Sequence, residues 1–209
     1  MEKGGLTGAL QAVGLTRASR IGFADELRLG LRGTTRRVWG RRGVKVRQRL
    51  QLQYDWWYLF AAVDGRAGTV WWTWVDSMRA ADLVPLLEAL RANTPLDALV
   101  WDGAPSHRDD AVRAVGVPSH RDDAVRAVGV PLIALPPYSP ELNPAERLFE
   151  EVRRHVEGHV YATLADKVAA VTAFLEELDA DPARVRRLCG WDWITDATTA
   201  LPEPLENAA

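Results

Sequence analysis

The sequence predicts an α/β protein, a mixed β-sheet with helices packed against it. Short apolar runs of strand length recur at residues 21–24, 98–101 (ALVW) and 132–135 (LIAL). Two longer β-rich runs, 51–63 (QLQYDWWYLFAAV) and 69–75 (TVWWTWV), flank the turn Asp64-Gly65-Arg66-Ala67-Gly68 and read as a hairpin. Stretches with apolar residues at helical spacing alternate with these runs. The resulting order of strand, hairpin, helix, strand, helix, strand, helix is an α/β layer architecture, and 209 residues suffice for one domain with a substantial core.

Taken in order, residues 1–19 read as a short helical or loose lead-in. The run at 21–24 is a strand that delivers Asp25 and Glu26 at its end. Residues 28–49, punctuated by Gly30, Gly33, Gly40 and Gly43, read as a basic loop or irregular hairpin. After the 51–63 and 69–75 hairpin, Leu83, Leu86, Leu87 and Leu90 mark a helix over 80–92. The strand 98–101 ends in Asp102, and short helical pieces lead to the strand 132–135. Pro136, Pro137 and Pro140 then forbid a helix, and Asn143-Pro144 restarts one, with Asn143 as N-cap and Pro144 at the first helical position. Ala145, Leu148, Phe149, Val152 and Val156 give this helix one apolar face. Further helices are expected over about 163–178, capped by Thr163 and Asp166, and from Asp181-Pro182. The tail 195–209, with Pro202 and Pro204, is expected to be loose.

Composition narrows the chemistry. Apolar residues make up 47% and charged residues 26%, ordinary values for a globular protein. No apolar run approaches the roughly 20 residues of a membrane span, and the N-terminus lacks a signal-peptide core, so a cytoplasmic, nucleoid-associated location and no membrane partner are expected. The single cysteine, Cys189, excludes an internal disulfide, and no Cys/His cluster has zinc spacing. Any metal would be held by carboxylate oxygens, which favours magnesium or manganese. The net charge of −2 hides an asymmetry. Residues 28–49 carry nine cations, among them Arg36, Arg37, Arg41, Arg42 and Lys45, and no acid, which leaves −11 for the rest of the chain. Such a block is either a nucleic-acid contact surface or a solvated basic face. The nine tryptophans are expected to pack in the core and on the sheet, with base stacking as the alternative.

Three carboxylates sit at the ends of predicted elements: Asp25, Asp102 and Glu146. Each has a plain alternative. The aspartates can be turn acids after a strand, and Glu146 can close a capping box with Asn143. If the strands of Asp25 and Asp102 lie side by side, however, both emerge at one sheet edge, and Glu146 approaches from the adjoining helix. Crowded carboxylates repel, and divalent cations relieve that repulsion. Two magnesium ions held in this way can activate an attacking oxygen and stabilise the leaving oxygen of a phosphodiester.

At these residues the chain resembles the catalytic domain of insertion-sequence transposases of the mariner superfamily, the DDE type with a ribonuclease H-like fold. The resemblance rests on FADELRLGL around Asp25, LVWDGAPSH around Asp102 and LPPYSPELNPAERLFEEVRR around Glu146, in that order, and covers roughly residues 20–160. It implies a ribonuclease H-like mixed sheet flanked by helices over 20–194. It also implies a catalytic and metal-binding triad of Asp25, Asp102 and Glu146 with two Mg2+ (or Mn2+) ions. His107 matches a histidine common in the second motif. The implied activity is DNA strand cleavage and strand transfer at the ends of a mobile element, by a homodimer on DNA. The alternative is a catalytically inactive relic that keeps non-specific DNA binding.

Two features depart from that pattern. Family members usually carry N-terminal helix-turn-helix domains, whereas about 20 residues precede the first catalytic strand here, so the chain is expected to be a catalytic half, a truncated copy or one product of a split reading frame, with end recognition absent or supplied by another chain. Second, residues 105–117 (PSHRDDAVRAVGV) recur identically as 118–130. The repeat widens the gap between Asp102 and Glu146 to 43 residues, where one copy would leave 30. Loop closure costs rise by only about 0.6 kcal/mol per doubling of length, so the fold is expected to survive. Copy one is expected to keep its junction with Asp102 and copy two its junction with the strand at 132–135, while the surplus bulges to solvent.

Overall fold

The computed structural model describes residues 3–33, 39–47, 49, 51–101, 116–117, 130–135 and 139–204. Among these the sheet has six strands in the order β3-β2-β1-β4-β6-β5. They are β1 (Ile21–Gly30), β2 (Trp56–Asp64), β3 (Thr69–Val75), β4 (Ala98–Trp101), β5 (Gly116–Val117) and β6 (Val130–Ala134). The β1–β2 and β2–β3 pairs are antiparallel, and β1–β4, β4–β6 and β5–β6 are parallel. Helix α1 is Lys3–Ala12, α2 is Ala80–Asn93 and α3 is Pro144–Val156. Then come α4 (Leu164–Asp179), α5 (Pro182–Cys189) and α6 (Asp192–Thr199).

Two cores follow from the period-two alternation of the strands. On one face Ala24, Phe60, Ala62, Leu99 and Trp101 pack beneath Leu83, Leu86, Leu87 and Leu90 of α2. On the other, Phe23, Leu27, Leu59, Ala61, Val63 and Val100 meet the helices α1 and α3–α6. The apolar face predicted for α3 is the buried one: Ala145, Leu148, Phe149 and Val152 are wholly inaccessible. Burying a leucine or phenylalanine stabilises by about 1.5–3 kcal/mol, so this face anchors α3 firmly to the sheet.

Strand β1 is longer than the sequence reading expected. It runs to Gly30, so Asp25 lies in mid-strand, opposite Ala61 of β2, rather than at a strand end. The reason is visible in DELRLG, where Leu27 and Leu29 continue the buried alternation past the acids. Conversely β2 starts at Trp56, not at residue 51, and 51–55 run beside the base of the β1–β2 connection, where Leu31 N–H donates to Asp55 O and Gly33 N–H to Gln51 O.

The β2–β3 turn is tied down by a buried acid. Asp64 accepts from the backbone N–H groups of Arg66 and Ala67 and from Arg20 Nε (2.9 Å). Helix α5 packs so closely on this turn that a Cβ on Gly65 would lie 2.3 Å from the Cys189 carbonyl oxygen. Gly68, at φ 77°, completes the turn in a conformation that other residues adopt only at a cost.

Of the two alternatives for the lead-in the structure has the helical one, and the C-terminal stretch is more ordered than expected. The lead-in is helical, with Leu6, Leu10 and Leu15 buried. The stretch from 195, expected to be loose, continues α6 to Thr199, and Leu201 is 1% exposed. Thr7 Oγ1 donates to Ala197 O, Arg17 N–H donates to Pro202 O, and Arg17 pairs with Glu203. Ile194, Ala197 and Leu201 are few, but their spacing puts them on one helical side, and that suffices to dock the segment.

The duplicated segment is accommodated without disturbing the sheet centre. β6 pairs with β4 through Leu99↔Leu132, Val100↔Ile133 and Trp101↔Ala134. Val130, the last residue of copy two, begins β6. The Gly116–Val117 end of copy one lies beside it, in the register Gly116↔Val130 and Val117↔Pro131. The end of copy one thus lies beside the end of copy two at the sheet edge, with residues 118–129 between them in the chain, about the dozen residues that a parallel connection needs. The rest of the repeat, including the predicted bulge and the helical pieces after Asp102, lies outside the described residues.

Candidate active site

Asp25 projects from β1 on the face that carries Phe23 and Leu27, the face covered by α3. It is half-buried. Its Oδ1 accepts from the Glu26 backbone N–H at 2.8 Å, and its Oδ2 lies 3.4 Å from Asn143 Nδ2. Asn143 is 1% exposed. Its Nδ2 also donates to the Ala24 carbonyl at 2.8 Å, and its Oδ1 accepts from Ala145 N–H at 3.1 Å.

Glu146 stands in the first turn of α3. The capping box read from the sequence does not form. Asn143 caps through Ala145, and the N–H of Asn143 already donates to Pro140 O across the 3-10 turn Pro140–Leu142, so Glu146 has no donor to satisfy there. Its carboxylate instead lies 3.5 Å from Arg153 Nη1, two turns along the same helix face. Asp25 and Glu146 are therefore brought to one face of the sheet. Asp102 and His107 lie outside the described residues, and among those residues no group of three or more His, Cys, Asp or Glu side chains could hold a metal. Trp101, the residue before Asp102, is pinned to β1 on the other face by its indole N–H, which donates to Glu26 Oε2 at 3.1 Å. Its ring meets Phe60 edge-on at 5.2 Å.

The basic block leaves the sheet between β1 and β2. Arg41, Arg42 and Lys45 are exposed, whereas Arg36 and Arg37 lie outside the described residues. The arm also exposes Trp39 completely, along with Val44, Val46, Leu52 and Tyr54. Trp39 is thus an exception to the expected packing of tryptophans, while Trp71, Trp72, Trp74, Trp191 and Trp193 do pack against the cores. At the root of the arm the Arg28 guanidinium lies 3.9 Å over Trp56, and that of Arg32 lies 4.8 Å over Tyr54. Gln51 exchanges two hydrogen bonds with the Tyr161 backbone, just beyond α3. Lys167 Nζ donates to Gly30 O at 2.6 Å, and burial lowers its pKa.

Sequence reasoning missed three of these groups. The second bond of Asn143 and the Trp101–Glu26 bond are long-range and leave no local signal. Arg153 had one: seven residues is nearly two helical turns, so it shares a face with Glu146.

The sequence matches the DDE superfamily endonuclease family over residues 20–167. The chain belongs to this family. Among solved structures, the chain is similar to the Mos1 transposase paired-end complex with left transposon end: TM-score 0.63, 18% identity, 94% of this chain and 59% of that one. The Mos1 strand transfer complex gives a TM-score of 0.64 at 15% identity over 99% of this chain and 64% of that one. The catalytic domain of Mos1 mariner transposase gives 0.55 at 16% identity over 95% of both chains. These superpositions show a shared fold, the ribonuclease H-like mixed sheet that the motifs implied. The chain spans about six-tenths of the Mos1 chains in the two complexes. No curated protein matches it in sequence, and no described helix is long and apolar enough to cross a membrane.

Proposed function

We propose that this chain is the catalytic domain of a mariner-type transposase that cleaves and joins DNA strands at the ends of a mobile element. The observation that carries this reading is the meeting of Asp25 and the α3 turn of Glu146 on one sheet face, within a DDE endonuclease fold. Asp102 completes the triad in this proposal. It follows Trp101, the last residue of β4, in the chain.

The donor set fits a hard divalent cation, since Asp25 and Glu146 offer carboxylate oxygens. Asp25, Asp102 and Glu146 would hold two Mg2+ or Mn2+ ions, which supply Lewis-acid activation of the attacking oxygen and charge stabilisation at the leaving one. The chain's own residues hold the two described carboxylates in place, and Arg153 balances the charge of Glu146. The exposed cations Arg41, Arg42 and Lys45, with Arg36 and Arg37, would carry the DNA backbone past the site. The working form would be a homodimer on DNA, since joining two element ends needs two active sites, and its location would be cytoplasmic at the nucleoid.

The test is cleavage of labelled DNA carrying the element ends with Mg2+ or Mn2+, by the chain and by Asp25→Asn, Asp102→Asn and Glu146→Gln. Removing one ligand is expected to cost about 4 kcal/mol of transition-state stabilisation, or about a thousandfold in rate. Unchanged cleavage in any of the three would refute its place in the triad, and cleavage in excess chelator would refute metal dependence.

A further inference from the structure

The side-chain amide of Asn143 makes two strong bonds, and each ends on the backbone of the residue immediately before a proposed catalytic carboxylate. Nδ2 donates to the carbonyl of Ala24, which precedes Asp25, and Oδ1 accepts from the N–H of Ala145, which precedes Glu146. The same Nδ2 lies 3.4 Å from Asp25 Oδ2. The Ala24 bond spans 119 residues of chain and closes one residue past the last β1–β4 pair, Phe23↔Val100. We infer that Asn143 is a positioning residue that sets the separation of the Asp25 and Glu146 carboxylates through one buried amide. This rests on the reading of those two acids as metal ligands.

Helix capping alone does not explain the arrangement. Serine, threonine and aspartate cap helix N-termini as well as asparagine does. Aspartate only accepts, and a serine or threonine hydroxyl must accept and donate through one oxygen close to the backbone, whereas asparagine accepts through Oδ1 and donates through a separate Nδ2. A side chain that is 1% exposed holds its rotamer by packing, so the amide acts as a rigid spacer between strand and helix. Outer groups that orient metal ligands typically change metal affinity about 10- to 100-fold when removed.

The test compares the full chain with Asn143→Ser, which keeps a capping oxygen but is too short to reach Ala24 O. Leu148→Ala serves as a control that empties a wholly buried site on the same helix. Titration with MnCl2 alone, followed by calorimetry, is expected to show Asn143→Ser binding at least about tenfold more weakly. Leu148→Ala is expected to stay within about threefold of the parent although it lowers the melting temperature at least as far. Wild-type affinity in Asn143→Ser, or an equal loss in Leu148→Ala, would overturn the inference. If the parent itself binds no Mn2+, the metal reading fails, and hydrogen exchange of the metal-free chain decides the bridge on its own. Asn143→Ser should then raise exchange around residues 24–26 while 146–149 stay protected, and unchanged exchange at 24–26 would overturn the bridge.

Discussion

Arg41→Ala/Arg42→Ala/Lys45→Ala is the substitution set that most directly tests the arm as a DNA contact. The three side chains are exposed on the segment between β1 and β2. They differ from Arg28 and Arg32, whose guanidinium groups already stack on Trp56 and Tyr54 at the arm's root. The triple variant should therefore fold as the parent does. Each cation that neutralises a phosphate releases a counterion and contributes about 0.9 to the slope of log K against log salt. Losing three contacts should flatten that slope by about 2.7. At 0.1 M salt the same arithmetic predicts about 500-fold weaker binding, or about 4 kcal/mol. Fluorescence anisotropy with a labelled 30-base-pair duplex across a KCl series measures both quantities. Equal slopes for parent and variant, within about half a unit, would refute the assignment and show that DNA does not follow the arm.

Deleting 118–130 leaves a single copy of the repeat and joins Val117 directly to Pro131, so that Gly116–Val117 lead into β6 and no longer form a separate edge strand, while the β4–β6 pairing uses Leu132, Ile133 and Ala134, outside the repeat. The melting temperature is expected to stay level or rise, and DNA cleavage by the deletion variant should equal or exceed that of the parent. Loss of cooperative unfolding would contradict this account of β6. Cys189 is buried, and burial pushes its thiol up to about 12 from an ordinary value of 9.0. The folded state thus favours the protonated thiol, so this contribution to stability is full below pH 9 and is lost as the pH rises toward 12. A thiol reagent at pH 8 should label Cys189 only on unfolding, and rapid labelling of the native chain would contradict its burial.

The sequence alone specified the order of the strands β1–β4 and β6 and of the helices α2–α5. Strands β3 and β4 fall where they were read, α3 begins at Asn143-Pro144, and the Thr163/Asp166 capping box forms as expected. These features are local: hydrophobic period, a proline at a helix start, a polar residue at its cap. The motifs around Asp25, Asp102 and Glu146 pointed to the family for a similar reason, since each is a contiguous string. The length of β1, the docking of α6 against α1 and the parallel seat of β5 beside β6 came only from the assembled sheet. So did the exchange of a capping box for an amide bridge. Whether Asp25 ends a strand or continues one depends on Ala61 lying opposite it, and whether Glu146 caps its helix depends on Pro140 having already taken the donor. Those partners become neighbours only when the layers close, because the bonds that decide them join residues as far apart as Ala24 and Asn143. No local pattern encodes such a pairing.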